Sequence, residues 1–247
     1  MQQNTLFLFK KELKKFIKEK FKGKLFFVVI YGSCAYHVEK NDSDIDILSI
    51  CISCRKKEID EFINFVKRLH VKYGLKIDTE VPFNKKLVVR EDILNAAIKG
   101  EGFSVKKGRF FIPPIEKTRE FLSSDRVVMR LTLNALTSKN IFIFGDKKYY
   151  ERKRMEAGFG IARVVFSSRN IEKVNIDEFI DSIMEDERGK AGEDYMGYKE
   201  VPRIRSYLIG YFRKVFSSMV KKGILSKKGS YYYRKNREWF IPFSSKI

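Results

Sequence analysis

The stretch between Lys24 and Ile50 constrains this chain's fold more than any other. Residues 24–30 form a short apolar run rich in β-branched and aromatic side chains, bounded by Gly23 and Gly32, and read as a buried strand. Gly32-Ser33 then turns the chain. Residues 43–50 alternate in character and read as a second strand. Side chains two apart on a strand share a face, so Asp44 and Asp46 point one way while Ile45 and Ile47 face a core. Amphipathic helices flank this unit. Leu6, Leu8, Phe9, Leu13, Phe16 and Ile17 recur at helical spacing over residues 5–22, and Ile59, Phe62, Ile63, Val66 and Leu69 do so over 56–72. The fold class expected is therefore α/β (α+β), with a mixed sheet.

Two carboxylates side by side at the start of a strand repel each other and stay solvated or bind cations. Hard divalent ions such as Mg²⁺ prefer oxygen ligands and combine one or two carboxylates with substrate phosphates. Two such ions about 3.5–4 Å apart can clamp the attacking and leaving oxygens of an in-line displacement. A glycine lets backbone approach a phosphate closely, and a neighbouring serine hydroxyl and amides can donate to its oxygens. Alone, Asp-x-Asp would read as a solvated strand edge. Ten residues after Gly32-Ser33 and behind a buried strand, it reads as half of a site.

Gly32-Ser33, Asp44 and Asp46 together resemble the signature of the DNA polymerase β-like nucleotidyltransferase superfamily. The resemblance covers residues 24–83 and implies a catalytic core with two Mg²⁺ ions and ATP or another nucleoside triphosphate as donor. It implies that Gly32 and Ser33 hold the β- and γ-phosphates, that Asp44 and Asp46 hold the metals, and that a third carboxylate stands on the next strand. Residues 75–82 are the candidate strand. Asp78 is the preferred third ligand, with Thr79 departing from the usual apolar neighbour; Glu80 shares its face and is the substitute or the general base.

Charge bears on the acceptor. Net charge is +20, and residues 199–247 hold 13 Lys/Arg against two Glu, whereas 172–194 hold nine acids against three bases. A basic second half suits a polyanion such as RNA or tRNA and disfavours a polycationic antibiotic, although the acidic stretch could line a local cleft. A protein acceptor of the toxin–antitoxin kind, a small molecule, or an inactive nucleic-acid-binding scaffold are the other readings. No apolar run approaches the length of a membrane span and the amino terminus lacks a signal-peptide pattern, so a cytoplasmic protein without membrane contact is expected. The three cysteines, Cys34, Cys51 and Cys54, imply no disulfide framework and are expected to pack in the core or at a strand end.

Glycines 100, 102 and 108 and the pair Pro113-Pro114 break the pattern. They suggest a nucleotidyltransferase core over 1–105 and a mostly helical substrate domain over 106–247, with helices near 117–137, 147–168, 176–187 and 201–221. Residues 220–240 follow a helix with a glycine-bounded run of tyrosines, lysines and arginines and resemble the helix and wing of a winged-helix module. They suit phosphate contact and base stacking, or a small hairpin packed on the helical domain with a solvated cationic face. His37 reads as a surface-turn residue, and His70 as a cation near a helix end.

Overall fold

The computed structural model describes residues 3–37, 44–77, 87–111, 124–191 and 202–242. Helix α1 (Gln3–Lys20) leads into β1 (Leu25–Tyr31), a single turn of helix α2 (Ser33–Tyr36), β2 (Asp46–Cys51) and α3 (Lys56–Lys72). Then come β3 (Val88–Arg90), α4 (Glu91–Lys99), a small hairpin of β4 (Ser104–Lys106) and β5 (Arg109–Phe111), and α5 (Asp125–Thr137). Strand β6 (Ile141–Gly145) precedes α6 (Lys147–Ser168), β7 (Lys173–Val174), α7 (Ile176–Ala191) and α8 (Pro202–Lys221). A hairpin of β8 (Leu225–Lys228) and β9 (Tyr231–Arg234) and a 3-10 turn over Glu238–Phe240 complete the description.

The central sheet has the order β3-β2-β1-β6 and is mixed: β1 runs antiparallel to β2 and β6, while β2 and β3 are parallel. Alternation along each strand sorts its side chains between two cores. Val28, Ile30, Ile47 and Val88 pack under α1 and α3, against Phe9, Leu13, Ile17, Phe62 and Val66. Phe27, Val29, Leu48, Ile50 and Val89 pack on the other side, under Leu94, Leu133, Ile161 and Val165 of the helical layer. That second core continues without a break into α7, α8 and the β8–β9 hairpin through Phe179, Phe212, Phe216 and Tyr232. The protein is therefore a mixed α/β structure with helices on both faces of its sheet.

The expected break at residues 100–116 coincides in its described part with the β4–β5 hairpin. Beyond it the chain returns β6 to the edge of β1, where a side chain at Gly145 would sit 2.1 Å from the Phe26 carbonyl oxygen. Residues 75–77, expected to begin the third strand, carry no strand; the described neighbour of β2 is β3, at 88–90. Asp78 and Glu80 lie outside the described residues.

Among the described residues, the carboxyl-terminal elements run helix, strand, two helices and two strands, with the sheet order β7-β9-β8. This is the connectivity of a helix-and-wing arrangement. Tyr232 of the hairpin is buried with its ring 4.9 Å from Phe216. Gly158 and Gly160 lie inside α6. A methyl at Gly158 would reach 2.5 Å from Val215, and one at Gly160 would reach 2.5 Å from the Ile98 carbonyl oxygen. Their bareness lets α6 approach α8 and α4 closely, which is why this glycine pair needs no ligand to explain it.

Candidate functional site

Register delivers the first contact. Tyr31, the last residue of β1, pairs with Asp46, the first of β2, so the Gly32-Ser33 turn sits beside the Asp46 side chain. Gly32 has φ 73° and ψ −155°, a region that in practice only glycine occupies. A Cβ there would lie 2.2 Å from Oδ2 of Asp46. The carboxylate thus rests against the bare backbone of the turn. Asp46 is half-buried on the sheet face that Leu48 and Ile50 share, toward the helical layer.

Asp44 is half-buried just before the strand, and its backbone is held from two sides. The Cys34 thiol lies 3.3 Å from the Asp44 carbonyl oxygen and donates to it. The next residue, Ile45, donates its N–H to Nε2 of His70 at 3.4 Å. Nδ1 of His70 lies 2.9 Å from the Val66 carbonyl oxygen, which can only accept, so Nδ1 carries the proton and Nε2 the lone pair. His70 is 1% exposed, with its ring edge-on to Phe9. This corrects its reading as a helix-end cation: it is a neutral brace under the Asp-Ile-Asp segment, enclosed because α1 covers that face of α3.

His37 caps α2 in the left-handed conformation and is exposed, as a surface-turn histidine would be. Its carbonyl oxygen accepts from the Arg203 guanidinium at 3.3 Å, tying the start of α8 to the turn. Next to this tie opens a cleft of about 450 Å³ lined by Tyr36, Lys139, Pro202, Arg203, Ser206 and Tyr207. The Lys139 N–H donates to the Tyr36 hydroxyl oxygen at 3.1 Å, and the Tyr207 hydroxyl donates to the Ser138 carbonyl at 3.0 Å. Behind them Arg154 donates to the Leu136 and Ser138 carbonyls and lies over the rings of Tyr207 and Tyr211. Arg154 is a structural brace, whereas Arg152 is exposed, as a solvated helix face requires. The Tyr211 hydroxyl donates to the Arg154 carbonyl, and burial pushes its pKa well above the usual phenol range.

Asp44 and Asp46, two apart at the start of β2 and beside a glycine turn, are the oxygen donors that a hard divalent cation takes before completing its shell with substrate oxygens. Among the described residues no three His, Cys, Asp or Glu side chains converge on one point, and both candidates for the third ligand lie outside them. The cysteines pack as expected, Cys34 and Cys51 inside the α1/α3 core and Cys54 against it at the end of β2; the disulfide that joins Cys51 to Cys54 there was not expected, and Cys34 lies outside it. Sequence reading missed Tyr36, Lys139, Arg203 and Tyr207, which no local pattern connects to Gly32.

The acidic stretch does not line this cleft through its described acids. Asp177 and Asp181 pair with Arg205, and Glu172 with Arg234 and Arg237. No helix among the described residues is long and apolar enough to cross a membrane. No family model, curated protein or solved structure matches this chain, so its chemistry rests on the site itself.

Proposed function

We propose that the chain is a Mg²⁺-dependent nucleotidyltransferase that moves a nucleoside monophosphate, AMP from ATP in the first instance, onto a hydroxyl of RNA. The observation that carries this reading is the seating of the Asp46 carboxylate against Gly32, at a backbone conformation closed to other residues. It sets the Gly32-Ser33 turn, which this reading gives to the phosphates, beside a carboxylate that this reading gives to the metal. In this reading Gly32 and Ser33 hold the β- and γ-phosphates. Asp44 and Asp46 hold the metal, and Asp78 or Glu80 completes the set or takes the acceptor's proton. Mg²⁺, when bound, neutralises the triphosphate and polarises the acceptor hydroxyl. The acceptor oxygen forms a bond to the α-phosphorus as the bond to the β-phosphate bridge breaks, and pyrophosphate leaves. Positioning and charge neutralisation carry such transfers. Arg203 and Lys139 make the adjoining cleft cationic, which favours an anionic acceptor, and Glu172, Asp177 and Asp181 of the acidic stretch pair with arginines away from it, which weakens the support for a polycationic one.

The test is transfer of label from α-labelled ATP, CTP, GTP and UTP, with Mg²⁺, to total RNA and to cell protein. Label on RNA with the native chain, abolished by Asp44→Ala and by Asp46→Ala, is expected. Label on protein instead would make a protein partner the acceptor. No triphosphate binding at all would overturn the enzyme reading and leave an inactive binding protein.

A further inference from the structure

Helix α8 starts at the cleft that Tyr36 of α2 lines and runs about 27 Å from Arg203 to Lys221 at 1.5 Å per residue. Its buried side is continuous: Ile204, Tyr211, Phe212, Val215, Phe216 and Met219 all enter the core. The opposite side is exposed at 203, 206, 210, 213, 214, 217 and 221, a stripe at helical spacing along its whole length. The stripe contains cations and small residues only: Arg203, Arg213, Lys214 and Lys221, with Ser206, Gly210 and Ser217 between them. A Cβ built at Gly210 meets nothing within 4 Å, so the surface there is open. Arg213, Lys214, Ser217 and Lys221 line a shallow concavity of about 380 Å³. At the far end the β8–β9 hairpin adds Lys227 and Lys228, both exposed.

Among the described residues, the acids do not pair with the cations of this stripe. Acids of α7 and the segment before it take Arg205, Arg234 and Arg237, none of which belongs to the stripe. Arg213, Lys214, Lys221 and Lys228 make no ion pair within the described chain. A row of cations without an ion-pair partner among the described residues, spaced along a line with small residues between, matches a ligand whose negative charges are also in a row. A nucleic acid backbone has that form.

We propose that the outward face of α8 and the hairpin tip are the path of an RNA strand whose 3′-hydroxyl end lies in the cleft of Tyr36, Lys139, Arg203 and Tyr207. The proposal rests on the transferase reading for the hydroxyl at its end, but RNA binding along the stripe does not depend on it. Arg203 sits where the strand meets the site. Arg213, Lys214 and Lys221 hold its phosphates, and Lys228 holds the segment farthest from the reacting end.

Binding of a fluorescein-labelled single-stranded RNA is measured by anisotropy over a salt series, without nucleotide. The variant R213A/K214A/K221A/K228A is compared with K11A/K14A/K18A/K20A, which removes equal charge from exposed positions of α1 on the other side of the sheet. The stripe variant should bind at least about tenfold more weakly, and the slope of log K against log salt should become shallower by about 3. The α1 variant should bind like the native chain. All substitutions are at exposed sites, and thermal melts by circular dichroism confirm that both variants are folded. A 4-thiouridine at the RNA 3′ end should crosslink near Tyr36 and Tyr207, and one at the 5′ end near the hairpin. Equal losses in the two variants, native-like RNA binding by the stripe variant, or polyglutamate of equal charge binding as tightly as RNA would each overturn the proposal. Loss of triphosphate binding in the native chain, with RNA still held on the stripe, would overturn the transferase reading alone.

Discussion

At the scale of single residues, Gly32 does what no other side chain there could do. Alanine at this position would have to enter a backbone region that costs about 1–3 kcal/mol and displace the Asp46 carboxylate, since its Cβ falls 2.2 Å from Oδ2. Gly32→Ala should therefore lower nucleotidyl transfer by about 10² or more, as misplacement of a reacting group by 1 Å does, while lowering the melting temperature moderately. Transfer assays and calorimetry on the same preparation check both. Glu58 shows a different kind of residue effect. It accepts from Lys24, which holds the start of β1 to α3, and from the Arg55 N–H at 2.8 Å. These donors, Lys24 foremost, pull its carboxyl from the ordinary 4.5 down to about 2. A carboxyl whose folded pKa is depressed contributes stability above the unfolded value and loses it as pH falls toward the folded one. The stability advantage of the native chain over Glu58→Gln should be constant above pH 4.5 and fade toward pH 2 in denaturant titrations. Gly32 and Asp46 were singled out in sequence by the Gly-Ser and Asp-x-Asp pattern, and the β1–β2 register sets them side by side. His70, Tyr36 and Arg203 were not, because the partners that define them lie 25, 103 and 166 residues away.

Among the elements, those whose apolar spacing was strong came out nearly as the sequence implied. Helix α3 spans Lys56–Lys72, α6 Lys147–Ser168 and α8 Pro202–Lys221, each close to the expected range. Strand β6 was not legible. Ile141–Gly145 is only five residues, IFIFG, and sits between two helices; what makes it a strand is the free edge of β1, which no local pattern reports. The disulfide was hidden for a related reason: Cys-x-x-Cys spacing is compatible with packing, metal or a bond, and the turn after β2 decides. Helix α8 also yields a prediction about its exposed stripe. Gly210 is mid-helix and solvent-facing with open space around its Cβ position, so its extra unfolded-state freedom is uncompensated by any packing need. Gly210→Ala should raise stability by about 0.5–1 kcal/mol in urea denaturation. A loss instead would mean that this part of the helix is not regular.

For the whole molecule, the sheet determines what can fold alone. The face of β1 and β2 that carries Phe27, Val29, Leu48 and Ile50 is covered by α4, α5 and α6, and β1 has β6 as its second hydrogen-bonded neighbour. Of these, only α4 lies before residue 111. A fragment of residues 1–111 would keep the α1/α3 face intact, with Phe9, Leu13, Phe62 and Val66 packed under it. It would leave the opposite face apolar and wet and β1 with an unpaired edge, the two features that drive strand association. The fragment should bind a hydrophobic dye, melt without a cooperative transition and be digested rapidly by trypsin, while the full chain melts in one sharp step. A fragment melting as sharply as the full chain, and resisting trypsin, would show that the first sheet face can be satisfied without the carboxyl-terminal helices. In that event the site at Gly32 and Asp46 would belong to the amino-terminal half alone, and α8 would be an appended arm; the cooperative alternative makes the cleft and the helix that borders it parts of one core.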